Sequence, residues 1–190
     1  MKSPVYGGFF YFIAQKTRFK KKTLYNIWMK EKSSLEIGFS KDMVFIDPLI
    51  PETGRDAVIK YLCERLTEQG YITDDYLDEV LKRERIYPTG LSTIPYACAV
   101  PHANPIGVNK TGIALAVLKN PVMFCSMDDP KKELNVHLIF LMCFLGGNEI
   151  AMLQWISSVI SNQQVVRRIA EGKTRQDVFK IIQPFLKTQT

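Results

Sequence analysis

Histidine is scarce in this chain, with only two in 190 residues. No Cys/His spacing of the kind that holds zinc can be built around them, and there is no CxxC pair. Neither a metal nor any other cofactor is therefore expected. The four cysteines (Cys63, Cys98, Cys125 and Cys143) are scattered, each inside an apolar pattern. They read as small buried hydrophobes of a reduced, cytoplasmic protein. No apolar run reaches the ~18 residues that would span a membrane. GxSxG and the Walker loop are missing too, which excludes a serine-hydrolase elbow and a P-loop for nucleotide.

Surplus charge is absent from most of the chain. The formal net charge is +6, yet residues 1–28 hold Lys2, Lys16, Arg18, Lys20, Lys21 and Lys22 and no acid. The remainder carries 19 basic and 19 acidic side chains, so a nucleic-acid partner is not expected for it. The basic segment also contains eight aromatics, a mixture that suits single-stranded nucleic acid or a membrane surface. It is no standard signal peptide, because its apolar part precedes its charges. Three readings of it stand: a start upstream of the natural initiator Met29, an extension without structure, or a functional tail. The first is the expectation. Residues 1–42 are set apart as an N-terminal extension and residues 43–188 as one domain.

From Met43 onward the pattern is orderly. MVFI (Met43–Ile46) is a short apolar run ending at Asp47-Pro48, a strand entering a turn. A helix is expected from Gly54 to about Gln69, capped by Thr53 and stopped by Gly70. A second starts at Thr73 or Asp74 and closes in KRER (Lys82–Arg85), where cations suit a helix C-terminus. Pro88, Pro95, Pro101 and Pro105 forbid continuous helix beyond it, and Tyr96–Val100 reads as a strand. Gly112–Leu118 and Val122–Cys125 read as two further strands, with Leu134–Leu145 as the central one. Asn148 caps the next helix, Val165–Ala170 forms a short helical piece, and a last helix runs from Thr174 to a stop near Pro184. The fold class is α/β, a mixed sheet flanked by helices on both faces.

Within this frame AVPHANP (Ala99–Pro105) places His102 between two prolines. Pro101 fixes its own φ and biases Val100 toward an extended conformation. The imidazole is therefore expected at the tip of a stiff loop leaving a strand. A histidine titrating near neutrality can offer an unprotonated nitrogen as nucleophile. Upstream, RERIYPTG (Arg83–Gly90) supplies guanidinium groups able to hold phosphate oxygens by forked hydrogen bonds. The residues alone leave two readings open, transient carriage of a phosphoryl group or a structural histidine. His137 alternates with Val136 and Leu138, so it faces away from them. It is either satisfied by hydrogen bonds within the sheet or a support for His102.

Four segments together carry a resemblance: RER-x-x-PTG-L, the AVPH whose histidine lies 19 positions after Arg83, VHLIFLM, and GGNEIAMLQWISSVI. They resemble the enzyme IIA domain of the sugar phosphotransferase system, in its fructose/mannitol-type superfamily, over roughly Met43–Leu186. The long spacer between PTG and VPH is most similar to the galactitol branch. The resemblance implies a cytoplasmic phosphocarrier. Its histidine, here His102, accepts a phosphoryl group from the phosphocarrier protein HPr and passes it to a cysteine of enzyme IIB, which serves the membrane enzyme IIC. Arg83 matches the arginine that balances phosphate charge. Mannitol- and fructose-like members place a second histidine where this chain has Ile150, and galactitol-like members lack it. Thr89 is the expected substitute support for the imidazole. The alternative the resemblance allows is a phosphorylation-controlled regulatory module.

Overall fold

The computed structural model describes residues 37–186. The basic aromatic segment 1–28 and the expected start at Met29 lie outside the described residues. The fold is built on one long hairpin. Asp129 O accepts from Lys132 N–H at 2.9 Å, turning the chain between β4 (Gly112–Cys125) and β5 (Glu133–Cys143). Both strands are rich in β-branched and large apolar residues, which suit a pleated surface. Gly112–Leu118 and Leu138–Cys143 are buried at every position. A strand buried on both faces must be covered by helices on both sides.

The other strands are short: β1 (Val44–Ile46), β2 (Gly90–Leu91) and β3 (Ala97–Ala99). The sheet order is β1-β4-β5-β3-β2. β1 runs parallel to β4 and β3 parallel to β5, whereas β4–β5 and β2–β3 are antiparallel. The sheet is therefore mixed, as expected, with β5 at its centre. Helices α1 (Arg55–Glu68) and α2 (Asp75–Ile86) precede β2, and α3 (Glu149–Ile160), α4 (Gln163–Ala170) and α5 (Arg175–Leu186) follow β5. No helix among the described residues is long and apolar enough to cross a membrane.

Several expectations need correction. Gly112–Leu118 and Val122–Cys125 are one strand, interrupted where the register with β5 shifts between Val117 and Val122. Pro121 lies in that bulge, where a missing N–H costs no ladder bond. β2 has two residues, too few to show any period. Thr53 does not cap α1; Gly54 occupies the N-cap, and no side-chain bond is made there. Asn148 sits at the N-cap of α3 but turns its amide to Thr111 Oγ1 at 3.2 Å. The last helix continues through Pro184 to Leu186, because a proline in the final turn removes one donor without ending the helix. Gly38 and Phe39, upstream of Met43, already belong to the fold. Gly38 exchanges backbone bonds with Thr111 and Ile113, both 3.1 Å, and Phe39 packs between Trp155 and Phe179. Cys63, Cys98 and Cys143 are buried, and burial pushes each thiol up to about 12, whereas Cys125 is half-buried.

Candidate active site

Beyond β3 the chain stays stitched to its neighbours. Val100 N–H donates to Thr89 O at 3.3 Å, and Pro101 O accepts from Met142 N–H at 3.0 Å. The loop that follows is thus held against the end of β5, and His102 comes next. Its Nδ1 lies 2.7 Å from Val100 O. A carbonyl can only accept, so Nδ1 carries the hydrogen and Nε2 keeps its lone pair. Nε2 is buried and has no hydrogen-bond partner. Burial, helped by the nearby Arg83 charge, pushes His102 down to about 4, against the pull of the Val100 carbonyl. The ring is neutral at pH 7.

An imidazole displayed openly at a loop tip was the expectation; His102 is instead only 4 % exposed. Asn104, Pro105 and Ile106 take the exposed positions, while Ala103 is drawn inward. Tyr76, at the start of α2, does the drawing. Its hydroxyl accepts from Ala103 N–H at 3.1 Å and donates to Met142 O at 2.7 Å. One buried phenol therefore ties α2, the end of β5 and the His102 loop together. Phe144 flanks the imidazole, with ring centroids 5.8 Å apart.

Arg83, in the last turn of α2, donates from Nη1 to His102 O at 3.4 Å. Its guanidinium is half-buried, and burial lowers its pKa while Glu149 is the largest charge opposing that. Glu149 stands in the first turn of α3 with Oε1 4.0 Å from His102 Nε2. Ile150 beside it is 41 % exposed and offers no polar atom. The structure thus brings His102 and Arg83 together and adds Glu149. An unprotonated, unpartnered imidazole nitrogen beside a guanidinium can form a bond to an electrophilic, anionic group such as a phosphoryl. Among the described residues no cluster of His, Cys, Asp and Glu could hold a metal ion.

Neither Thr89 nor His137 hydrogen-bonds the imidazole, whose Nδ1 goes to Val100 O and whose Nε2 has no such partner. Thr89 gives its N–H to Glu84 Oε1 at 3.0 Å and its hydroxyl to Glu84 Oε2 at 2.7 Å. Its side chain is consumed in anchoring the PTG turn to α2. His137 sits on β5 at the level of Val136 and Leu138, where the register with both neighbouring strands shifts. That is roughly 16 Å back from Met142 at the rise of a strand. Its ring packs edge-on against Tyr96, 5.0 Å between centroids.

Glu84, Tyr76 and Glu149 were not singled out from the sequence. For Glu84 a signal exists: Tyr76, Val80 and Glu84 are spaced by four and form the buried face of α2, so helical periodicity carries a carboxylate inside. Glu84 is 1 % exposed, and burial pushes it up to about 7 despite the Thr89 bonds and the nearby Arg55 and Arg83. A folded-state pKa above the ordinary value of a carboxyl means that the native state binds more protons. Glu84 therefore costs stability progressively as pH rises through the interval from 4.5 to about 7. A Glu84→Gln domain should match the wild type at about pH 4 and gain on it until about pH 7.5, by on the order of 3 kcal/mol. Urea unfolding at the two pH values measures this; a constant difference between the proteins would refute it.

The family model described as "Phosphoenolpyruvate-dependent sugar phosphotransferase system, EIIA 2" matches residues 38–184. The PTS system mannitol-specific EIICBA component of Buchnera aphidicola is 25 % identical over 142 residues, which are 73 % of this chain and 21 % of that protein. The chain thus spans about a fifth of this relative's length. Among solved structures, the complex of enzyme IIAMtl and phosphorylated enzyme IIBMtl from Escherichia coli matches with a TM-score of 0.67 and 19 % identity, covering 78 % of this chain and 99 % of that one. Nitrogen Regulatory Protein IIA-Ntr from Neisseria meningitidis matches with a TM-score of 0.60 and 20 % identity, covering 75 % and 94 %. Those two likenesses concern the fold. The family match takes in the sheet, its helices and the whole of the His102 site, and this chain belongs to the EIIA 2 family of the phosphoenolpyruvate-dependent sugar phosphotransferase system.

Proposed function

We infer that the domain is a cytoplasmic phosphocarrier whose acceptor atom is His102 Nε2. The observation that carries this reading is the free lone pair of Nε2, set by the Nδ1–H to Val100 O bond, beside the Arg83 guanidinium. In the step proposed, the Nε2 lone pair attacks the phosphorus of phosphohistidine on HPr. The N–P bond of the donor breaks, its imidazole leaves with the electron pair, and a new N–P bond forms on His102. The phosphorylated ring is cationic at Nδ1–H, and the Val100 carbonyl is already in place to accept from it. Arg83 balances charge on the phosphoryl oxygens during transfer. A cysteine thiolate of enzyme IIB then takes the group, for use by the membrane enzyme IIC.

The substrate of the whole system is read as galactitol or a related sugar alcohol. The long PTG-to-VPH spacer and Ile150 in place of a second histidine support that branch. A regulatory role would use the same phosphohistidine, and the fold shared with IIA-Ntr suits it. Onward transfer separates the two. Incubation with enzyme I, HPr and phosphoenolpyruvate should add one phosphoryl group to the intact mass, and enzyme IIB should discharge it. Failure of the first step overturns the phosphocarrier reading, and failure of the second favours the regulator.

Arg83 provides a sharper test. Arg83→Ala should slow phosphorylation about 10–100-fold, since one charge-assisted hydrogen bond made in the transition state is worth roughly 1.5–3 kcal/mol. His102 should also titrate higher, because the Arg83 charge opposes the imidazolium. Arg85→Ala should transfer at the wild-type rate, since Arg85 turns away to Asp56 at 3.2 Å. Rapid-quench rates and imidazole NMR titration measure both effects. A wild-type rate in Arg83→Ala would remove Arg83 from the reaction.

A further inference from the structure

Among the described residues Glu149 is the acid placed against the proposed acceptor atom, with Oε1 4.0 Å from Nε2. An anionic group bonded to Nε2 lies close to this carboxylate. We propose that Glu149 tunes the phosphoryl-transfer equilibrium: in the resting domain it balances Arg83, and in the phosphorylated domain it repels the phosphoryl group and so favours its departure. The inference rests on the phosphocarrier reading above and adds to it a residue that sets how readily the group is held.

Three observations support it. Glu149 lies in the first turn of α3, where the helix dipole favours a negative charge. It is 52 % exposed on its side chain, so it can swing aside without disturbing the core. It is also the largest charge stabilising the Arg83 guanidinium, which donates to the His102 carbonyl. Arg83 therefore feels the charge of a carboxylate before transfer and that of a phosphoryl group after it. The exchange reaction makes such tuning effective. One N–P bond is broken on the donor and one is formed on His102, with no proton or electron gained or lost. The intrinsic bond energies nearly cancel, and the surroundings of the two phosphohistidines decide the equilibrium. A carboxylate beside a phosphoryl dianion raises the free energy of the phosphorylated state only.

Glu149→Gln keeps the shape and removes the charge. Mixed with phosphorylated HPr in known ratio, it should hold more of the phosphoryl group than the wild type, shifting the exchange equilibrium about tenfold toward the domain. Glu149→Asp, which keeps the charge, should stay near the wild type. The shift should shrink in high salt, because a half-exposed charge is screened. The readout is the phosphorylated fraction of each protein at equilibrium, followed by the rate of discharge to enzyme IIB, which should fall in Glu149→Gln. An equilibrium equal to that of the wild type, or one shifted toward the donor, overturns the proposal. If the wild type accepts no phosphoryl group at all, the phosphocarrier reading itself fails and this inference falls with it, so the two failures are distinguishable.

Discussion

A domain carrying His102→Ala will take no phosphoryl group from phosphorylated HPr, and His102→Asn will do no better. Alanine also leaves the buried Val100 carbonyl without the bond it makes to Nδ1, at a cost of about 1–3 kcal/mol. Asparagine avoids that ambiguity, because its amide can donate to the same carbonyl. It keeps the loop satisfied while removing Nε2. His137→Ala should accept a full equivalent, since His137 packs on Tyr96 and not on the site. Intact mass measured in mildly alkaline solution distinguishes the proteins, and the wild-type adduct should be acid-labile and base-stable, as a phosphoramidate is. The pH profile adds a second check. With His102 near 4 in place of its ordinary 6.5, the unprotonated fraction hardly changes between about pH 6 and 8, so the uptake rate should be flat there. Phosphoryl uptake by His102→Asn would move the acceptor elsewhere.

The architecture was legible wherever local pattern reports on burial. The apolar run around Phe140 announced a central strand, and the start at Thr73 or Asp74 with the cationic KRER end announced the helix α2. The framing of His102 by Pro101 and Pro105 singled out that imidazole, and the RER segment singled out Arg83, two residues that the structure brings together. What stayed hidden depends on chain separation. Tyr76 meets Ala103 and Met142 across 27 and 66 residues, and no local period carries that information. Glu149 reaches Nε2 only because α3 begins where the end of β5 delivers it. The depth of His102 was misjudged for the same reason: prolines predict a stiff loop, but Tyr76 and Phe144 decide how far that loop sinks. Pro121 misled in the other direction, since a bulge bends one strand and looks in sequence like the gap between two.

Tyr76→Phe should be the most damaging conservative change in the domain. Tyr76 is fully buried, and burial holds its phenol well above the usual range, so the hydroxyl keeps its proton at every working pH. Phenylalanine fills the same space without the oxygen. Met142 O and Ala103 N–H would then both lose a partner while remaining inside the protein. Each orphaned buried group costs about 1–3 kcal/mol, so the pair should lower stability by roughly 2–5 kcal/mol. The gain from burying a slightly more apolar ring offsets only part of that. Function should suffer beyond stability, because Ala103 is the residue after His102 and Met142 is bonded to Pro101 just before it. With both sides of the imidazole loosened, Nε2 no longer sits at a fixed distance from Arg83, and misplacement by about 1 Å can cost on the order of 100-fold in rate. Urea unfolding gives the first quantity. Phosphorylation kinetics at a temperature where the variant is fully folded give the second. If Tyr76→Phe unfolds with the wild-type midpoint, its hydroxyl does not hold the loop; if it is unstable but transfers at full speed, the loop keeps its place by backbone pairing to Thr89 and Met142 alone.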